Sequence, residues 1–172
     1  MKWLKKLTKT PRKSAKVKLQ VPPVSSYLSE NRILFFPAGP SKRQVVGSLI
    51  ATLDLPDPSA AIKAILAREE MDSTIIAPGL ALPHARVEGL GRLEAAVGIC
   101  PPGVHDPHSR GKPIRVYVLF LGPAENMKEH LAFLTSVSAL FRKEGFIDKL
   151  TKLASPQGVL HAIRQAERPI ER

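Results

Sequence analysis

Cysteine is nearly absent from this sequence, which has Cys100 alone among 172 residues. A single cysteine excludes a disulfide within the chain and is typical of a protein that works in a reducing compartment. Cys100 ends an apolar run that begins at Ala95. We therefore predict a buried strand residue there rather than a nucleophile.

Long apolar runs are also missing, because no stretch approaches the roughly 18 consecutive apolar residues that a membrane-spanning helix needs. The sequence has no glycine-rich phosphate loop of the Walker type. These two absences argue against a transport channel and against a nucleotide-binding site in this chain.

Acidic residues are absent from the first 24 positions, which contain eight of the 26 lysines and arginines. The remainder has 18 basic and 15 acidic residues, so the net charge of +11 falls to +3 outside this segment. Its apolar residues are too scattered for a secretory signal, and we expect no cleaved signal peptide. Three interpretations stay open: a solvated disordered tail, an anchor on anionic lipid through Trp3, Leu4 and Leu7, or a nucleic-acid contact.

The prolines of residues 21–24 form a stiff linker between this tail and one predicted domain. We therefore divide the chain into a basic, disordered tail with its linker, residues 1–25, and a globular domain, residues 26–172. Most of the other fourteen of the sixteen prolines fall between apolar runs, where they mark loops.

Short apolar runs alternate with helical patterns along the domain, which predicts an α/β architecture. The strands are predicted at 33–36, 93–99 and 115–121, with the last at the centre of the sheet. The helices are predicted after an N-cap at Ser41, at 60–70, around 131–141, at 146–153 and at 157–166.

Residues 68–86 carry the most distinctive motif, which ends in Pro-His-Ala-Arg. Pro83 fixes its own φ and favours an extended Leu82, so His84 is predicted at the end of a short strand. A histidine held there, beside the cation Arg86, suits an anionic partner. For so short a pattern, a surface histidine without a chemical role is the commoner meaning.

The pairs Arg68-Glu69 and Ser73-Thr74, followed by residues 79–85, resemble the signature of the mannitol/fructose-type enzyme IIA domains of the bacterial phosphotransferase system. That family includes a nitrogen-regulatory branch. The resemblance covers residues 27–166. It implies a three-layer sandwich, in which a mixed β-sheet is flanked by helices on both faces.

The same resemblance implies that His84 is the phosphorylated nucleophile and that His130 and Arg68 stabilise the phosphate. It implies a phosphoryl carrier that is charged by the histidine-containing phosphocarrier protein and that passes phosphate to a IIB domain, without cofactor or metal. A cytoplasmic location follows, at the inner membrane face if the tail binds lipid. The alternative is a regulatory module whose histidine phosphorylation controls protein partners.

Two departures from the family pattern occur within the motif, because Ile75 and Ala77 stand where glycines are usual. Glycine adopts conformations that isoleucine cannot, so loop flexibility and close approach to phosphate are expected to be reduced. A degenerate domain without transfer activity is therefore a third possibility.

One further histidine cluster lies in the segment between the strands predicted at 93–99 and 115–121. His105, Asp106 and His108 offer metal-ligating side chains, but no further ligands stand nearby in the sequence. We predict a surface loop there, with a metal site as the alternative.

Overall fold

A mixed sheet of six strands runs through the middle of the protein. The computed structural model describes residues 22–169. The strands are β1 (Ile33–Phe35), β2 (Ile75–Ala77), β3 (Leu80–Ala81), β4 (His84–Val87), β5 (Glu94–Val104) and β6 (Ile114–Pro123). Their order is β1-β5-β6-β3-β2, and β4 also pairs with β6.

Pairing directions along the sheet are mixed. β5 and β6 are antiparallel, as are β2 and β3, whereas β1 runs parallel to β5. Both β3 and β4 run parallel to β6. The predicted mixed sheet is confirmed, and β6 is its central strand.

Helices cover both faces of this sheet. They are α1 (Lys42–Ile50), α2 (Pro58–Met71), α3 (Met127–Phe141), α4 (Phe146–Thr151) and α5 (Pro156–Glu167). Side chains of β6 alternate between the two layers, as a period of two requires. Val118 and Phe120 pack towards α3, α4 and α5, whereas Leu119 packs towards α1 and α2. The predicted three-layer sandwich is confirmed.

Helix starts follow the capping signals in the sequence. Ser41 caps α1 in a full capping box with Gln44, as predicted for that serine. Asp57 caps α2, and Asn126 caps α3. Ser155 caps α5, whose first residue is a proline. These caps fix where α2 and α3 begin.

A surface loop was predicted between the strands at 93–99 and 115–121, and this prediction is wrong for part of the segment. β5 continues to Val104, which pairs with Ile114 after a register shift. The prolines that signalled a loop lie at this irregularity, where a strand tolerates them. Asp106 is only 1% exposed, because its carboxylate turns inward to an ion pair with Lys42.

Residues just before the predicted domain boundary take part in the packing. Val24 is 1% exposed in the core beside α3 and α5. Ser25 donates a 2.5 Å hydrogen bond to the Glu167 carboxylate at the end of α5. Residues 1–21 of the basic segment, to which three interpretations apply, lie outside the described residues. Within residues 22–169, no helix combines the length and apolar character that crossing a bilayer requires.

Candidate functional site

His84 lies at an interruption in a strand. β3 and β4 pair with β6 in one continuous register, in which Leu80 faces Val116 and His84 faces Phe120. Pro83 lies in the gap, and its carbonyl still accepts a 3.1 Å hydrogen bond from the Phe120 amide. The backbone on both sides of His84 is thus fixed by the central strand, and its side chain is half-buried.

Two contacts orient the His84 ring. Its Nδ1 lies 2.6 Å from the carbonyl oxygen of Leu82. A carbonyl can only accept, so Nδ1 carries the proton and Nε2 of the neutral ring has the free lone pair. The ring also stacks on Phe120, with centroids 5.0 Å apart and planes 8° from parallel. The ring therefore has one defined tautomer and one defined plane.

The electrostatic surroundings keep His84 neutral. Burial lowers its pKa below the ordinary value, and the positive charge of Arg68 adds to that decrease. The hydrogen bond to Leu82 and the negative charge of Glu69 act in the opposite direction without reversing it. A neutral imidazole is the nucleophilic form, so these surroundings favour attack on an electrophile.

His130 lies in the first turns of α3 and meets His84 over the sheet. The two ring centroids are 5.3 Å apart, and both rings contact Phe120 at 5.0 Å. His130 is 7% exposed. Burial, followed by repulsion from the protonated form of His84 and from Arg86, lowers its pKa to about 4. His130 is thus a neutral hydrogen-bonding group at neutral pH.

A glycine of β6 makes room for the His130 ring. A Cβ atom built on Gly122 would lie 2.9 Å from His130 Nδ1, closer than real Cβ contacts. That nitrogen is buried and has no hydrogen-bond partner among the described residues. Nε2 is therefore the nitrogen of His130 that is able to reach a ligand.

Arg68 approaches from the other layer, in the last turn of α2. Its guanidinium donates a 3.2 Å hydrogen bond to the Asp72 carbonyl at the end of the helix. Its charge acts on His84, although the two side chains share no hydrogen bond. The structure thus brings the two predicted histidines together and holds Arg68 within electrostatic range.

The second histidine cluster does not converge on one point. The Asp106 carboxylate accepts hydrogen bonds from the amide and ring of His108, while His105 is exposed. Within residues 22–169, no three or more histidine, cysteine or acidic side chains form a group that could hold a metal ion. Cys100 is buried, as predicted, and burial raises the pKa of its thiol to about 12. Its thiolate is therefore not available for chemistry near pH 7.

Residues 26–166 match the family described as phosphoenolpyruvate-dependent sugar phosphotransferase system, EIIA 2. The chain belongs to this enzyme IIA family. It is 26% identical over 149 residues to the fructose-specific EIIABC component of Bacillus subtilis, a match of 84% of this chain and 24% of that protein. It is 26% identical over 141 residues to the nitrogen regulatory protein of Pseudomonas aeruginosa, a match of 79% and 91%.

Solved enzyme IIA structures share the fold. The crystal structure of nitrogen regulatory protein IIA-Ntr from Neisseria meningitidis has a TM-score of 0.73 at 22% identity, and covers 81% of this chain and 98% of that one. IIA mannitol from Escherichia coli has a TM-score of 0.66 at 20% identity, with coverage of 79% and 98%. The family resemblance deduced from the motif is confirmed.

The two positions where this enzyme IIA domain departs from the family pattern lie in strand β2. Ile75 pairs with Ala81 and Ala77 with Leu80, and neither Ile75 nor Ala77 has a positive φ. Ile75 also packs on the core beside α1 and α2. The backbone here accepts side chains without strain. The lost glycines correspond to a short paired strand whose register shifts between the two positions.

Sequence reasoning did not identify Phe120 and Gly122 as part of the site. Both lie in β6, where they read as ordinary core residues of a buried strand. Their roles depend on the register with β4 and on the docking of α3, which have no local sequence signal. The approach of His130 to Gly122 is visible only once these elements are packed.

We expect Gly122→Ala to displace His130. The added methyl group would overlap Nδ1 at 2.9 Å, and overpacking of this kind costs about 1–3 kcal/mol. Shifts of the His130 ring resonances in NMR spectra would report the displacement. Gly91→Ala is the matched control, because a Cβ there meets nothing within 4 Å. Unchanged His130 resonances in Gly122→Ala would contradict the packing described.

Acid should destabilise the protein through its buried histidines. The pKa of His130 is about 4 when folded against an ordinary 6.5, and that of His84 is also lowered. Between about pH 4 and pH 6.5 the unfolded chain binds more protons than the folded protein does. The contribution to stability is therefore full above pH 6.5 and falls as the pH decreases towards 4. For His130 alone the loss is about 3 kcal/mol.

Urea unfolding of the wild type and of His130→Gln at about pH 7.5 and about pH 4.5 measures this effect. His130→Gln should lose less stability on acidification, because glutamine has no proton to gain. The exposed His161 supplies the control His161→Gln, with the wild-type dependence. Equal losses in wild type and His130→Gln would show that His130 is not held neutral by the fold.

Proposed function

We propose that this enzyme IIA domain carries a phosphoryl group on Nε2 of His84. The observation that carries the proposal is the 2.6 Å contact between His84 Nδ1 and the Leu82 carbonyl oxygen. It leaves a lone pair on Nε2, and burial beside Arg68 keeps the ring neutral. The histidine-containing phosphocarrier protein is the proposed donor.

Transfer takes place by displacement at phosphorus. The Nε2 lone pair of His84 forms the new N–P bond, while the N–P bond of the donor phosphohistidine breaks and its electron pair returns to the donor ring. The Leu82 carbonyl stabilises the positive charge that develops at His84 Nδ1. Arg68 and His130 Nε2–H donate to the phosphoryl oxygens, so catalysis consists of positioning and electrostatic stabilisation.

Exposed apolar residues beside the site support a protein as the phosphate donor. Met127 and Leu131 lie one turn apart on α3 and are 43% and 53% exposed. Both lie within one turn of His130 on the same helix. Such exposed side chains favour contact with another protein, which suits a phosphoprotein donor better than a small phosphate ester.

A IIB domain is the proposed acceptor of the phosphate. The names of related proteins, such as the EIIABC component of Bacillus subtilis, combine IIA and IIB in one chain. A solved complex of this fold joins Escherichia coli enzyme IIAMTL to phosphorylated IIBMTL. These relatives support a carrier that exchanges its phosphate with a IIB domain.

A regulatory module is the second candidate, and one comparison favours it. The chain matches 91% of the Pseudomonas aeruginosa nitrogen regulatory protein but 24% of the Bacillus subtilis fructose component. In this case His84 phosphorylation would control binding to a protein partner. The two candidates share the first step and differ in whether the phosphate moves on.

Mass spectrometry after incubation with phosphorylated phosphocarrier tests the shared step. The wild type should gain about 80 Da and His84→Ala should gain nothing, because the nucleophile is missing. His130→Ala should be phosphorylated but should transfer onward about 10²-fold more slowly, because one donor to the phosphoryl oxygens is lost. His161→Ala, at an exposed position of α5, is the matched control with wild-type behaviour.

Phosphate gain by His84→Ala would overturn the assignment of the nucleophile. Absence of gain in the wild type would instead indicate the degenerate domain considered for Ile75 and Ala77. Loss of the added mass when a IIB domain is supplied supports the carrier. Retention of the phosphate with every IIB domain tested supports the regulatory module.

We also propose that the basic segment of residues 1–24 binds anionic lipid and holds the domain at the inner membrane face. Its eight lysines and arginines, without acidic residues, supply an attraction of roughly 1 kcal/mol per basic residue near such a surface. Trp3, Leu4 and Leu7 supply apolar contacts at the interface.

Co-sedimentation with vesicles tests this lipid proposal. The full chain should sediment with vesicles that contain phosphatidylserine and not with neutral phosphatidylcholine vesicles, and salt should weaken binding. A variant with the eight basic residues of positions 1–24 changed to glutamine should remain in solution. Equal sedimentation of the two proteins would overturn the proposal, as would a preference for nucleic acid over the anionic vesicles.

A further inference from the structure

A buried ion cluster lies on the face of the sheet covered by α1 and α2. Lys42 Nζ is 2.9 Å from Glu69 Oε2 and also forms an ion pair with Asp106. The side chains of Glu69 and Asp106 are 7% and 1% exposed, and that of Lys42 is 24% exposed. Charges so well enclosed are costly unless they neutralise one another.

The pKa shifts of Lys42 and Asp106 indicate that these charges stabilise one another. Burial alone would lower the pKa of Lys42, but its hydrogen bonds to Asp106 and Glu69 outweigh burial and raise it. Burial would raise the pKa of Asp106, but hydrogen bonds from Lys42 and His108 hold it below its ordinary value. Lys42 is therefore a permanent cation between two carboxylates at neutral pH.

The cluster connects to His84 through hydrogen bonds that are joined by the covalent structure of Thr74 and Leu82. The Thr74 hydroxyl donates to the carboxylate of Glu69 that Lys42 holds. The Thr74 carbonyl accepts a 3.0 Å hydrogen bond from the Leu82 amide. The Leu82 carbonyl in turn is the acceptor for His84 Nδ1 at 2.6 Å. Lys42 thus sits at one end of this series, and the ring that defines the site sits at the other.

Three different parts of the chain meet in this cluster. Lys42 is the first residue of α1, Glu69 belongs to the last turn of α2, and Asp106 follows β5. Glu69 is also the sequence neighbour of Arg68, so fixing its carboxylate fixes the end of α2 that presents the guanidinium. The same cation therefore influences two groups of the site.

Charge gives Lys42 a second effect on the site. The negative charge of Glu69 is felt at His84, together with the positive charge of Arg68. A phosphorylated His84 would carry close to two negative charges. Without a compensating cation, Glu69 would repel that group and disfavour its formation.

We infer that Lys42 is a positioning residue for phosphoryl transfer at His84, acting through Glu69, Thr74 and Leu82. The inference rests on the proposed function of His84. Lys42 neutralises Glu69, which keeps the Thr74 contact and, through it, the orientation of the His84 ring. Lys42 thereby reduces the repulsion between Glu69 and an incoming dianionic phosphoryl group, without contacting the phosphate itself.

Charge-changing variants separate this role from a merely structural ion pair. Lys42→Met removes the cation at nearly constant length, Lys42→Arg keeps it, and Lys42→Met combined with Glu69→Gln removes both charges of the pair. Glutamine retains an oxygen that can accept from Thr74. Lys63→Met, at an exposed position of α2, is the matched control.

Two measurements are made on each variant: the rate of phosphate uptake from phosphorylated phosphocarrier, by mass spectrometry, and the pKa of His84 in the unphosphorylated protein, by NMR titration. Lys42→Met should slow uptake by roughly tenfold to hundredfold. It should raise the His84 pKa, because Glu69 is no longer neutralised while Arg68 and His130 are unchanged. Lys42→Arg and Lys63→Met should retain wild-type values of both.

The double variant decides between the two roles. It should return the His84 pKa towards the wild-type value and recover part of the uptake rate. The reason is that Glu69, the carboxylate that acts on His84, is no longer a charge without its cation, although Asp106 still lacks Lys42. A double variant that takes up phosphate as slowly as Lys42→Met, with the same His84 pKa, would show a purely structural ion pair. So would a folded Lys42→Met with wild-type uptake and titration.

Glu69→Gln alone keeps the inference testable if Lys42→Met fails to fold. It leaves no unpaired buried carboxylate at position 69 and should lower the His84 pKa, whereas an unchanged pKa would overturn the inference. If the wild type itself takes up no phosphate, the proposed function fails. The titrations then still decide whether Lys42 and Glu69 act on the His84 ring.

Discussion

Parallel pairing of β4 with β6 is the constraint on which the site depends. It sets His84 opposite Phe120, and Phe120 then supports the rings of both histidines. Pro83 interrupts the strand just before this point without changing the register. The Pro83 carbonyl bonds to β6, whereas the Leu82 carbonyl accepts from the imidazole. A one-residue shift in this pairing would turn His84 towards the opposite layer of helices.

Burial gives the two histidines their chemical character. Both lie close to cationic side chains and are enclosed by apolar ones, so each is disfavoured as an imidazolium. Neutral rings next to Arg68 and Arg86 form a site with positive potential whose nucleophile keeps its lone pair. A dianionic phosphoryl group would reverse this balance, because its charge favours protonated neighbours.

Local signals in the sequence are sufficient to predict part of the fold and of the site. Ser41 was predictable as a helix cap, and residues 115–121 as a central strand, because capping and apolar runs are local patterns. His84 was found through its motif. Asp106 was misassigned to a surface loop, since its burial comes from Lys42, more than sixty positions away in the sequence. Gly122 likewise gains its meaning only from α3 docking against β6.

The expected effect of Ile75 and Ala77 depends on whether they lie in a loop or in a paired strand. In a flexible loop, replacing glycine would restrict movement near the phosphate. Here both residues belong to β2, which pairs with β3 directly before His84, and Leu82 is bonded to Thr74 across the same hairpin. The larger side chains favour this paired strand over a mobile loop. Rigidity here holds the Leu82 carbonyl in place, and the Leu82 carbonyl determines which nitrogen of His84 is free to react.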